Sequence, residues 1–221
     1  MKKNVYQLVI IPFLGLSLNA QVTLTQSNHA PVPGEINIRR MCDSIGNIRS
    51  VLDLTGNNVT WDFTGLLVSN SYTFADTYVN PSTIPGSSNY VAAGSNVALS
   101  DSAGFYKSSS LMFEFLGDMR PGPEIFDITP DPATLMQYPF SYGNSFTDVA
   151  SGTMNASSNI FIISATISVS AEGQGTLILP SNPNITYNNV LKVKYDIYMQ
   201  IQGTGTLASV TGTNIITQYN F

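Results

Sequence analysis

The strongest constraint in this chain is a period of two. Phe161, Ile163, Ala165, Ile167, Val169 and Ala171 are apolar at successive odd positions, with Ser164, Thr166, Ser168 and Ser170 between them. The alternation returns at Leu191, Val193, Tyr195, Ile197, Met199 and Ile201, opposed by Lys192, Lys194, Asp196, Tyr198 and Gln200. A β-strand sends successive side chains to opposite faces, whereas one face of a helix recurs every three to four residues. Each segment therefore predicts a long strand with one buried face and one wetted face.

Turn chemistry frames these segments. Glu172-Gly173-Gln174-Gly175 predicts a turn, residues 180–189 a loop, and Gly203-Thr204-Gly205 a second turn, which together describe a long C-terminal antiparallel meander. Further strand candidates are 22–26, 35–40, 59–63, 67–79 and 108–115, and no ten-residue window carries a helical stripe. Many strands broken by Gly, Pro, Asn and Ser predict an all-β chain folded as an antiparallel β-sandwich, with a jelly roll as the first variant to consider. Residues 118–132 contain four prolines and read as a long loop within the domain.

The N-terminus reads as an export signal. Lys2 and Lys3 precede an apolar stretch over residues 5–18, and Ala20 supplies a small residue for cleavage before Gln21. The stretch is shorter than the roughly 20 residues a bilayer requires and is interrupted by Pro12. No later segment is apolar enough to span a membrane as a helix, so no transmembrane segment is expected once the signal is removed. Residues 21–221 are then expected to form one β-sandwich domain. Without the two lysines of the leader, seven basic residues face 14 acidic ones, which argues against nucleic acid as a partner. Charged residues make up only 10% of the chain, against about 25% in an average soluble domain, and Ser, Thr and Asn take their place. Cys42 is the only cysteine, so no intramolecular disulfide can form.

No catalytic residue is identified. His29 is the only histidine, and its proline-flanked position reads as a solvated loop. One histidine and one cysteine cannot supply the ligands of a usual zinc site, and Cys42 reads as a small, partly buried residue. Asp118, Glu124, Asp127 and Asp131 fall within one proline-rich stretch and are weak candidates for Ca²⁺, the only cofactor considered, although they lack the run of a recognised calcium loop. The same carboxylates could pair for glycoside hydrolysis. Trp61 is read first as a core anchor and second as a sugar-stacking platform, and Tyr187 and Tyr198 are further stacking candidates. Asn58-Val59-Thr60, Asn155-Ala156-Ser157 and Asn184-Ile185-Thr186 fit the N-glycan acceptor pattern.

Four segments in order carry a resemblance. They are Trp61-Asp62-Phe63-Thr64, the run 139–148 (PFSYGNSFTD), the run 173–180 (GQGTLILP) and the run 187–194 (YNNVLKVK). Together they resemble the N-terminal β-rich region of secreted Bacteroidota proteins of the type IX secretion group, which often end in a sorting domain. The resemblance implies export across both membranes, then release or attachment at the outer cell surface, and it brings no enzymatic activity with it. The chain ends at Phe221 without a Gly-rich sorting domain, so the sandwich is expected to be cut short at its C-terminal end. Asp43-Ser44-Ile45 and Asp101-Ser102-Ala103 resemble the O-glycosylation acceptor of that phylum. The expected function is a secreted or surface-displayed sandwich with a structural, adhesive or ligand-binding role, taking a surface glycan or a protein as ligand. The alternative is an extracellular carbohydrate-binding or carbohydrate-active module.

Overall fold

A computed structural model describes residues 21–43, 48–101, 103–119, 124–156, 159–181 and 183–221, with backbone alone at 43 and 69–72. The leader, Ser44, Ile45, Ser102 and Ser157 lie outside the described residues. In chain order the strands are β1 (Thr23–Leu24), β2 (Ile36–Asp43), β3 (Gly56–Asp62), β4 (Leu67–Val79), β5 (Val97–Leu99), β6 (Gly104–Ser108) and β7 (Met112–Met119). They continue as β8 (Ile125–Asp131), β9 (Ala133–Gln137), β10 (Phe140–Ser141), β11 (Ser145–Ala156), β12 (Asn159–Leu179), β13 (Ile185–Gly203) and β14 (Thr211–Asn220). The helices α1 (Gln26–His29), α2 (Ile48–Leu52) and α3 (Ser88–Ala92) are single turns.

The chain is all-β, as the alternation predicts. β1 and β10 form a small pair, and the other 12 strands make one sheet in the order β14-β13-β12-β11-β8-β7-β6-β5-β4-β2, with β3 added to β12 and β9 to β7. The sheet does not close into a barrel. Apart from the parallel β3–β12 pair, its neighbours are antiparallel and close to consecutive in the chain. A jelly roll would instead carry strands between two sheets by long connections.

The sheet bends over itself where β8 meets β11. At one end Ile125, Phe126 and Asp127 pair with Asn155, Met154 and Thr153, while β9 leaves this path and runs along β7. The two layers enclose the main core. Phe113, Ile128 and Met136 belong to the same buried cluster as Ile167, Val169, Val193 and Tyr195, with Ala133, Ala150 and Ala171 as the small partners. Large and small side chains from facing layers fill such a space at crystal-like density.

The alternation is preserved in β12 and β13, where Ile163, Ile167, Val169, Leu191, Val193 and Tyr195 are buried. Several expectations are overturned, and residues 185–189 of the expected loop already belong to β13. Glu172-Gly173-Gln174-Gly175 is not a turn: β12 runs through it unbroken to Leu179, and its glycines admit the parallel strand β3. A Cβ at Gly175 would sit 1.9 Å from the Val59 carbonyl oxygen, and one at Gly173 would sit 2.8 Å from the Trp61 ring. Nor are residues 118–132 one long loop, since Asp118 and Met119 finish β7 and residues 125–131 form β8.

Candidate functional site

The bent sheet leaves one side open. There β2 and β4 of one layer stand across from β13 and β14 of the other, and a cleft of about 320 Å³ lies between them. Its inner walls are aromatic, from Tyr78, Tyr106, Phe113 and Tyr195, and Asn37, Gln218 and Asn220 add amides. Tyr106 stacks on Phe113 with ring centroids 5.2 Å apart. Strand alternation explains the wall: Tyr195 is an inward position of β13, which the sequence assigned to the apolar face. The strand ends explain the amides, because Gln218 and Asn220 project from an edge strand that the opposite layer does not cover.

The hydroxyls here are neutral hydrogen-bonding groups. Burial pushes Tyr106 and Tyr195 up to about 12 and raises Tyr78. The Asn220 side chain hydrogen-bonds Tyr195 and accepts from Gln218 Nε2 at 2.8 Å. Asn37 does the same service for Tyr78. Glu35 is the only carboxylate among the lining residues, and its Oε2 accepts from Val32 N–H at 3.2 Å. Among the described lining residues no second carboxylate stands beside Glu35.

A second hollow of about 430 Å³ continues around His29, Tyr195 and Asn220 toward Tyr187, Asn188 and Phe221. The two adjoin at those three residues, and each is of a size that small ligands occupy. His29 sits at the junction and is not a solvated loop residue. It ends α1, its Nδ1 shares a 2.7 Å hydrogen bond with the Tyr138 hydroxyl, and its ring lies edge-on to Phe113. Burial lowers its pKa, so the ring is neutral at physiological pH.

The other candidates disperse. Trp61 is fully buried with Phe63 and Leu177 beneath α2, its indole N–H donating to the Leu54 carbonyl at 3.1 Å, so it anchors a core and cannot stack a ligand. Tyr187 is half exposed in β13 rather than in a loop, and it lines the groove. Tyr198 is exposed on the outer face of β13, away from the groove residues. Among the described residues no three acidic or metal-binding side chains converge, and the four carboxylates have other placements. Asp127 accepts from Asn89 Nδ2 and Thr129 N–H, and Asp131 accepts from Ser151 Oγ. Glu124 is exposed just ahead of β8, and Asp118 lies on β7. Asp118 and Asp127 stand on paired strands beside Tyr90, whereas Asp131 lies at the far end of β8. Cys42 is exposed on β2, not partly buried.

Sequence reasoning missed Lys192. Alternation assigns it to the wetted face, yet it is fully buried, with Nζ donating to the Leu52 carbonyl and to the Leu54 carbonyl at 3.1 Å. Glu172 Oε2 lies 3.5 Å away and the Tyr219 ring centroid 4.6 Å away. These partners fasten the chain after α2 to the sheet. The signal is tertiary, because α2 covers a position that the strand alone would leave wet. Comparison with protein-family models, curated proteins and solved structures finds no match.

Proposed function

We propose that this chain is an exported, non-catalytic binding module that takes a neutral glycan in the groove between its layers. The observation that carries the reading is the pairing of tyrosine rings with side-chain amides in an open cleft. Sugars present apolar C–H faces and a rim of hydroxyls, so stacking rings with neutral donors and acceptors complement them. Only Glu35 brings a charge to the lining, which disfavours anionic ligands and leaves paired-acid chemistry without a partner.

Export rests on Lys2, Lys3, the apolar residues 5–18 and Ala20, and the outer surface of a Bacteroidota cell rests on the resemblance described above. No helix among the described residues is long and apolar enough to cross a membrane. N-terminal sequencing of the secreted protein should begin at Gln21. A chain retained in the cytoplasm with Met1 intact would remove the export part of the reading.

The glycan part is tested by screening the purified protein on an array of neutral oligosaccharides, followed by calorimetry on the best ligand. Gln218→Ala and Asn37→Ala alter exposed rim amides and leave the core untouched. Each should weaken binding about tenfold, the value of one lost hydrogen bond left uncompensated. Absence of binding across the panel, or binding indifferent to both substitutions, would reject the cleft as a glycan site.

A further inference from the structure

The two edges of the large sheet are chemically unlike. β2, at one edge, carries Arg39, Arg40 and Asp43 within its eight residues, and Arg39 donates to Asp76 at 2.6 Å. Charges on an edge strand repel a second strand and protect it from pairing. β14, at the other edge, reads TGTNIITQYN: ten residues without a charge or a proline. It pairs only with β13 among the described residues, which leave its other edge unpaired. Ile215 on β14 is 73% exposed, the largest value among the exposed large apolar residues described.

Ile215 also ends a row. Directly opposed positions run Val149, Thr166, Tyr198 and Ile215 across β11, β12, β13 and β14, and Val149, Tyr198 and Ile215 are all exposed. An apolar row that stops at an uncharged edge is completed by the same row turned through a two-fold axis. Such an axis perpendicular to the sheet keeps the outer face of one copy continuous with that of the other, so an odd position must oppose an odd position. With Ile215 on the axis, Thr213 falls opposite Thr217 of the second copy and Thr211 opposite its Tyr219. Every cross-strand pair is then uncharged, and on the outer face the members are β-branched or aromatic, of the kind that stabilises antiparallel pairing.

We propose that β14 is a homodimerisation edge, two copies pairing antiparallel about Ile215 to join their sheets. The reading is independent of any glycan. A second copy fits better than a β2 edge, because β2 would place adjacent arginines on each side of its own two-fold pairing and β14 places none.

Sedimentation of the purified protein over a concentration series tests the association. The expected result is a reversible monomer–dimer equilibrium, which Ile215→Lys returns to monomer while circular dichroism stays unchanged. A protein that remains monomeric up to the millimolar range overturns the proposal, and so does a dimer that Ile215→Lys leaves intact. The register is read independently by cross-linking. In a Cys42→Ser background, Ile215→Cys should oxidise to a covalent dimer, because directly opposed residues of antiparallel strands fall within disulfide reach. Thr213→Cys alone should stay monomeric. Failure of Ile215→Cys to cross-link rejects pairing about Ile215.

Discussion

At the scale of single residues, His29 and Lys192 place titratable groups where the sequence pattern did not put them. The His29 ring is lowered from its ordinary 6.5 by burial against Tyr138 and Phe113, and unfolding restores that ordinary value. The folded pKa thus lies below the unfolded one. The contribution is fully present above 6.5 and is lost as pH falls from there through the folded value. Urea midpoints measured from about pH 8 to pH 5 should fall on the acid side, and His29→Gln should flatten that slope. An unchanged slope would mean the imidazole titrates alike folded and unfolded. Asp62 and Asp196, held below 3.8 by hydrogen bonds from Thr64 and Lys194, act only at more acidic pH and leave this window clear. Lys192 makes a different prediction. Lys192→Met fills the space but leaves the Leu52 and Leu54 carbonyls without their donor and Glu172 without its buried counter-charge. Breaking a buried charged cluster from one side costs about 3 kcal/mol. A loss under about 1 kcal/mol in denaturant unfolding would show that the carbonyls find other partners.

At the scale of elements, glycine is where sequence and structure part. Strand alternation was legible from Phe161 to Ala171 and again from Leu191 to Ile201, because period two depends only on local geometry. The turn read at Gly173 and Gly175 failed because glycine has two structural uses, a bend and a close approach of backbones, and only the fold distinguishes them. Strand β3 comes from residues more than 100 positions earlier, and no local pattern announces it. Gly175→Ala tests the second use. Its Cβ would lie 1.9 Å from the Val59 oxygen, so β3 must move off β12, and overpacking of that kind costs about 3 kcal/mol. Gly212→Ala is the matched control on β14, with nothing within 4 Å of the added carbon. Its thermal midpoint should match the parent's, and equal losses at both sites would refute the close-approach reading. The groove was only partly legible for a related reason. Tyr187 was named as a ligand-facing ring, whereas Tyr106, Asn37, Gln218 and Asn220 come from strands whose juxtaposition depends on how the sheet bends.

At the scale of the whole molecule, one bent sheet with open edges implies a gradient of local stability. β12 and β13 sit inside the sheet, share the main core, and hold each other over more than a dozen paired positions. Among the described residues β14 and β2 are paired on one side only, and nearly every residue of both is exposed. Local opening requires breaking strand pairing and exposing buried surface, so it is easiest at such edges and approaches global unfolding at the centre. Native-state hydrogen exchange should therefore rank the inner amides of Ile167, Val169, Val193 and Tyr195 as slowest, with β2 among the fastest. β14 carries the added distinction. Amides on its outer edge should exchange rapidly in dilute protein and slow as concentration rises, whereas those of β2, blunted by Arg39 and Arg40, should not respond. A uniform exchange rate from edge to centre would mean that the sheet opens only as a single unit. Equal slowing at β2 and β14 would place self-association on both edges, and an uncharged edge could not then be the property that selects it.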